Sequence, residues 1–237
     1  MTNPDLARKA TAELVGTAML VAIVVGSGIY AQRLSPNDVG IQLLENSIAT
    51  GAGLVALILA FGHVSGAHFN PVVTLADRLL GGITTRTAAV YAIAQVVGGC
   101  LGAIVANLMF DLRAVNISEH ARSSGGLWLS ETIATFGLLM VILGVVRSGR
   151  GQLAPFAVGG YIAAAYWFTS STSFANPAVT IARTLSNTFA GIKPSSAPAF
   201  IAFQIIGAGA AVALAKFLHP DVSAGDLVVR HEHATTA

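Results

Sequence analysis

The sequence predicts an all-α integral membrane protein with six transmembrane helices and two re-entrant half-helices arranged as inverted repeats. Of the 237 residues, 54% are hydrophobic and only 10% are charged, whereas soluble domains carry about 25% charged residues. Apolar runs long enough to cross the bilayer core recur along the chain. Two further segments break at an Asn-Pro pair, Asn70-Pro71 and Asn176-Pro177. These three observations together predict the fold class.

The long apolar runs divide the chain into two halves of three spans each. The polar stretch at 33–45 is predicted to be a loop, and the polar stretch at 111–126 separates the halves. The predicted spans are 10–30, 46–63 and 86–110 in the first repeat (10–110), and 127–146, 153–170 and 198–218 in the second repeat (127–218). Residues 1–9 and 219–237 are predicted to be polar termini.

Each Asn-Pro pair is predicted to begin a short helix inside the membrane, at 70–80 and 176–187. Proline suits the first helical position because its missing N–H would have no partner there. Asparagine is a good N-cap for the exposed amides that follow. Two broken helices at corresponding places of two halves indicate a pore or substrate site at the repeat interface.

The halves also match in sequence. Glu13 corresponds to Glu131, the first Asn-Pro pair to the second, and Gln95 to Gln204, in the same order. Because each half crosses the membrane an odd number of times, the second half must be inverted. In this topology more Lys and Arg residues lie on the side of the membrane that holds the N-terminus than on the other side. This distribution predicts that both termini are cytoplasmic and that the protein lies in the cell (inner or plasma) membrane.

The predicted geometry favours a passive channel. Two inverted half-helices would bring their positive N-termini together near the midplane. Asn70 and Asn176 could donate hydrogen bonds to a neutral solute there, while a cation would be repelled. An ion-coupled secondary transporter stays an alternative but needs an ion site. A membrane enzyme is a distant alternative, because we find no catalytic set and no phosphate loop.

Composition argues against several other classes. The net charge of +2 does not suggest a nucleic-acid partner, and the single Cys100 excludes an intrachain disulfide. His231 and His233 in the tail could bind a metal, although an inert tail is the favoured interpretation. We therefore expect no cofactor and no resident metal.

Residues 10–218 resemble the aquaporin, or major intrinsic protein, family. The resemblance is carried by the intramembrane glutamates, by the stretch Ser65-Gly-Ala-His68-Phe-Asn70-Pro71, and by Asn176-Pro-Ala178, because a doubled Asn-Pro-Ala motif is the signature of this family. It implies the aquaporin fold, small neutral solutes and water as cargo, the lipid bilayer as surroundings, no cofactor, and a homotetramer with one pore per subunit.

Departures from the family pattern bear on selectivity. Val72 replaces the alanine of the first motif, and Val179 stands where the family usually has arginine. The family pattern assigns the remaining filter positions to Thr50, Ala164 and Ser173, which implies a wide, arginine-free filter. The ring resembles that of bacterial aquaglyceroporin-like channels associated with arsenic resistance, which implies glycerol, urea or metalloid hydroxides such as arsenous acid as cargo. An ordinary water or glycerol channel is the alternative.

Five more residues are candidates near the pore. Arg183 is interpreted either as a vestibule cation or, preferably, as a side chain snorkelling to the interface. Glu13 and Glu131 could relay protons, but we favour a structural role, accepting amides of the non-helical segments before each Asn-Pro. His63 and His68 flank the first break and are predicted to line the pore mouth.

Overall fold

The computed structural model describes residues 4–218, and every regular element in that range is helical. The predicted tail, with His231 and His233, lies outside the described residues. The helices are α1 (Pro4–Leu34), α2 (Val39–Ser65), α3 (Pro71–Leu79), α4 (Thr85–Met109), α5 (Gly125–Arg147), α6 (Ala154–Phe168), α7 (Pro177–Ala182) and α8 (Ala197–Leu218).

Six of these helices are spans, and α3 and α7 are the predicted half-helices. Within residues 4–218, five helices are long and apolar enough to cross a membrane: α1, α2, α4, α5 and α8 with its preceding turn. The sixth span, α6, has 15 residues and is therefore only about 22 Å long. A 3-10 turn at Gly151–Leu153 leads directly into it and extends the crossing.

The predicted loop at 33–45 is wrong over most of its length. Helix α1 ends at Leu34, and α2 begins at Val39. Asp38 caps α2 by accepting a hydrogen bond from the backbone N–H of Ile41, and Gln42 donates to the backbone carbonyl of Ser35 at 2.7 Å. The polar composition therefore marks the exposed ends of two helices. Helix α1 likewise begins at Pro4, within the predicted polar N-terminus.

Glycine allows the long spans to pack in matching pairs. A Cβ on Gly98 of α4 would lie 2.2 Å from the carbonyl oxygen of Leu14 in α1, and one on Gly207 of α8 would lie 2.3 Å from that of Thr132 in α5. Such close approach requires small residues at the helix interface. Helix α3 packs against α8, and α7 packs against α4, so each half-helix contacts the last span of the other half.

The segment connecting the halves lies over the end of the second half-helix. The backbone N–H groups of Asn116 and Ser118 donate to the carbonyls of Leu185 and Thr184 at 3.0 and 2.9 Å. The N–H of Lys193 donates to the carbonyl of His120 at 2.7 Å. This connection therefore covers one end of α7.

Candidate pore

The two half-helices begin at the same point in the molecule. The side-chain amide of Asn70 donates to the carbonyl of Ala175 at 2.7 Å, and that of Asn176 donates to the carbonyl of Phe69 at 2.8 Å. Each side-chain oxygen also caps its own helix. The N-termini of α3 and α7 therefore meet, and reciprocal hydrogen bonds between the halves join them.

The segments leading into this junction have an unusual backbone. Ala67 and Phe69 have φ values of 49° and 48°, and Ser173 and Ala175 have values of 51° and 46°. The left-handed region costs a non-glycine residue about 1–2 kcal/mol. In this irregular backbone the N–H and C=O groups have no helical hydrogen-bond partner, so other residues must satisfy them.

Glu13 satisfies the first of these segments. Its side chain is fully buried and accepts the backbone N–H groups of His68 at 3.0 Å and Phe69 at 2.7 Å. It also accepts the hydroxyl of Ser65 at 2.6 Å and the amide of Gln95 at 2.7 Å. Both carboxylate oxygens are therefore engaged.

Glu131 makes the equivalent contacts in the second half. It is fully buried and accepts the backbone N–H groups of Phe174 and Ala175, each at 2.9 Å. The amide of Gln204 donates to it at 2.6 Å. The three sequence landmarks shared by the halves thus form two matching clusters around the junction.

A cavity of about 120 Å³ passes the junction. This space is large enough for several water molecules or for a small solute. Its walls are mostly aliphatic. One face of α6 lines it along nearly the whole helix, over about 18 Å, with every fourth residue contributing: Ala154, Val158, Ile162 and Tyr166.

The structure brings three of the four predicted filter residues to this cavity. Thr50, Ser173 and Val179 line it, and the hydroxyl of Ser173 has no hydrogen-bond partner within residues 4–218. The prediction for Ala164 is wrong. Ala164 lies on α6 between the cavity-lining residues Ile162 and Tyr166, but it is exposed on another face of the helix and does not line the cavity. Tyr166 lies on that face, and its hydroxyl is 3.1 Å from that of Thr50.

Arg183 also lines the cavity, so its predicted snorkelling to the interface is wrong. The residue is only 2% exposed. Its guanidinium lies 3.5 Å from the centroid of the Phe174 ring, and its Nε donates to the carbonyl of Ala190. Val179 and Arg183 both line the cavity, so an arginine stands in the cavity wall one turn beyond the predicted filter position.

Arg122, which was not a predicted site residue, adds a second cation near Arg183, over the same Phe174 ring. Its guanidinium lies 5.2 Å from the centroid of the Phe174 ring and donates to the carbonyl of Gly191 at 2.9 Å. Burial lowers the pKa of Arg122 below its ordinary value. No sequence signal marks it, because its environment is created by the folding of the connecting segment.

The first half-helix contributes His68 and Asp77 to the cavity. The Nδ1 of His68 is 3.0 Å from the hydroxyl of Thr74, and its Nε2 is 3.6 Å from an oxygen of Asp77. His63 was predicted to line the pore mouth together with His68. It is exposed on the last turn of α2 and is not among the residues that line the cavity. Asp77 was not among the predicted site residues, although it follows Asn70 by the same interval as Arg183 follows Asn176.

The chain belongs to the major intrinsic protein family, whose model, described as "Major intrinsic protein", matches residues 1–175. The arrangement above is accordingly that of an aquaporin-type membrane channel. The chain is 50% identical to "Aquaglyceroporin AqpS" of Rhizobium meliloti (strain 1021), over 92% of this chain and 93% of that protein. It is 30% identical to "Probable aquaporin AqpM" of Archaeoglobus fulgidus, over 90% and 97% of the respective chains.

A solved structure supports the fold independently. The aquaglyceroporin from Plasmodium falciparum superimposes with a TM-score of 0.72, covering 91% of this chain and 98% of its own. At 21% sequence identity, this likeness concerns the fold alone.

Proposed function

We propose that the protein is a passive channel for small uncharged polar solutes, including solutes larger than water, in a bacterial plasma membrane. The observation that carries the proposal is the reciprocal Asn70–Asn176 junction beside a cavity that follows α6 over its length. A carboxamide has two N–H donors, and the junction uses one from each asparagine. The other is left for a passing solute.

Electrostatics at the junction supports neutral cargo. Two helix N-termini meet there, and each carries roughly half a positive charge. A cation would lose its hydration and meet this field, whereas a neutral hydroxyl or carbonyl oxygen gains a hydrogen bond. Glu13 and Glu131 hold the junction in place and have no oxygen left over for proton relay.

Solutes larger than water are favoured by the lining near Val179. Because residue 179 is valine, the cavity wall nearest the Asn70–Asn176 junction has no guanidinium at this position. Arg183 supplies a guanidinium one helical turn further from the junction. Thr50, Tyr166 and Ser173 add hydroxyl groups that can bind an oxygen-rich solute. We propose glycerol, urea and metalloid hydroxides such as arsenous acid as cargo, and the name of the 50% identical aquaglyceroporin agrees with this class.

The alternative that one observation favours is an ion-coupled transporter, since Asp77 places a carboxylate in the cavity wall. Proteoliposomes containing the purified full-length chain separate the two. We expect stopped-flow swelling in glycerol and urea to exceed that of empty liposomes and to be unchanged when sodium or proton gradients are imposed. Swelling no faster than in empty liposomes would refute the channel, and gradient-dependent flux would favour the transporter.

We further propose a homotetramer with one pore per subunit and with both termini in the cytoplasm. One pore per subunit is supported by a cavity that residues of both halves of the same chain line. Native mass spectrometry of the detergent-solubilised protein tests the subunit number. Protease accessibility of the C-terminal tail in inside-out vesicles tests the orientation.

A further inference from the structure

Two buried charges of opposite sign stand at matching positions in the two halves. Asp77 is seven residues beyond Asn70, and Arg183 is seven residues beyond Asn176. Both line the cavity, with exposures of 4% and 2%. Each therefore lies about 10 Å from the junction along its own half-helix.

The packing places these charges at opposite ends of the cavity. Leu80, just beyond α3, packs against the cluster of Leu143, near the end of α5, and Ala215, near the end of α8. Phe174, on which the Arg183 guanidinium lies, packs in a cluster with Trp128 near the start of α5. The cavity therefore has an acidic end and a basic end.

Asp77 differs from the other buried carboxylates of the pore in having no hydrogen-bond donor. Neither of its side-chain oxygens has a partner within residues 4–218, and the Nε2 of His68, 3.6 Å away, also lacks one. Glu13 and Glu131, in contrast, accept backbone amides on both oxygens. Buried polar groups are almost always satisfied, so unpaired acceptors in a cavity wall indicate a place for a ligand that donates.

We propose that Asp77 and His68 form a second solute-binding subsite, which accepts an O–H from a small neutral polyhydroxylated solute. The subsite rests on the proposed channel function and specifies the class of solute that the channel binds. Arg183 donates to solute oxygens at one end of the cavity, and Asp77 accepts from solute hydroxyls at the other. A polyol can bind through its oxygens at the Arg183 end and, further along, through its hydroxyl hydrogens at the Asp77 end, whereas an anion is repelled by Asp77 and a cation by Arg183.

The experiment measures occupancy of the pore by glycerol. Glycerol present at equal concentration on both sides of proteoliposomes competes with osmotic water flow, and the concentration that halves this flow reports its binding. Asp77→Asn replaces a charge-assisted hydrogen bond by a neutral one of about half the strength. We expect the half-blocking concentration, measured relative to each variant's own water flow in the absence of glycerol, to rise about tenfold.

Two further variants provide a control and an independent test. Asp111→Asn, which alters an exposed carboxylate at a connecting turn, should leave the half-blocking concentration unchanged. His68→Phe introduces the residue found at the matching position, Phe174, and should raise it even if Asp77→Asn folds poorly.

Two outcomes overturn the subsite while leaving the channel intact. One is a half-blocking concentration that is equal in wild type, Asp77→Asn and His68→Phe, in proteoliposomes that conduct both water and glycerol. The other is Asp77-dependent blocking by sodium instead of glycerol, which would mark a cation site. Wild-type proteoliposomes no faster than empty ones would instead remove the proposed function itself.

Discussion

Replacing Val179 with arginine tests whether this position of the cavity wall borders the solute path. Val179 is 5% exposed and lines the cavity one helical turn before Arg183. Arg183 already occupies the space above the Phe174 ring. A second guanidinium at position 179 therefore cannot share that ring face and must enter the open volume.

The size of the effect follows from that geometry. Side chains one turn apart are separated by about 5–6 Å. At an effective dielectric constant of about 20, two unit charges at 6 Å repel by about 3 kcal/mol. The new side chain is thereby directed away from Arg183 and into a cavity of about 120 Å³. We expect glycerol flux to fall at least tenfold, an increase of about 1.4 kcal/mol in the barrier, and water flux to fall less.

Stopped-flow light scattering of proteoliposomes, normalised to the amount of reconstituted protein, measures both fluxes. Val179→Leu adds volume without charge and should lower glycerol flux only slightly. The double variant Val179→Arg with Arg183→Leu relieves the repulsion, so it should regain part of the glycerol flux. Unchanged glycerol flux in Val179→Arg would show that position 179 does not border the solute path.

Three further predictions concern the cavity face of α6, the buried Glu131 and the helix contact at Gly98. Ile162→Trp, on the cavity face of α6, should abolish solute swelling, and Ala164→Trp, on the exposed face, should not; equal swelling of the two would contradict the assigned face. Glu131→Gln loses the charge that two backbone amides share and should destabilise the protein by about 2–4 kcal/mol, seen as a lower Tm in detergent, whereas Glu119→Gln, on an exposed side chain, should leave Tm unchanged. Gly98→Ala forces a Cβ to within 2.2 Å of a backbone carbonyl and should cost about 1–3 kcal/mol, and an unchanged Tm would contradict that packing.

The sequence predicted features that depend on local chemistry repeated in both halves. Asn70 and Asn176 are N-caps next to proline, so each carries its own local signal. Glu13 and Glu131 could be paired with the broken segments because an intramembrane carboxylate needs donors and a broken backbone supplies them.

Other features depend on surfaces that form only in the folded chain. Counting along a family pattern selected Ala164, but the face that α6 turns to the cavity depends on its packing against α2 and α5, and that face carries Tyr166. Arg183 is buried because the connecting segment and the backbone near Ala190 enclose it. Asp77 faces the cavity only because α3 packs against α5 and α8.

The crossed amide-to-carbonyl bonds of the two asparagines also bear on biogenesis. Ala175, whose carbonyl receives the amide of Asn70, belongs to a part of the chain that is synthesised more than a hundred residues later. Until that part inserts, the amide of Asn70 and the carbonyl of Phe69 lack their final partners. A nascent first half therefore lacks the bonds that join its re-entrant turn to the second half, although Glu13 can already bind that turn. A chain that ended near residue 126 would form a three-helix intermediate that is incomplete at its centre.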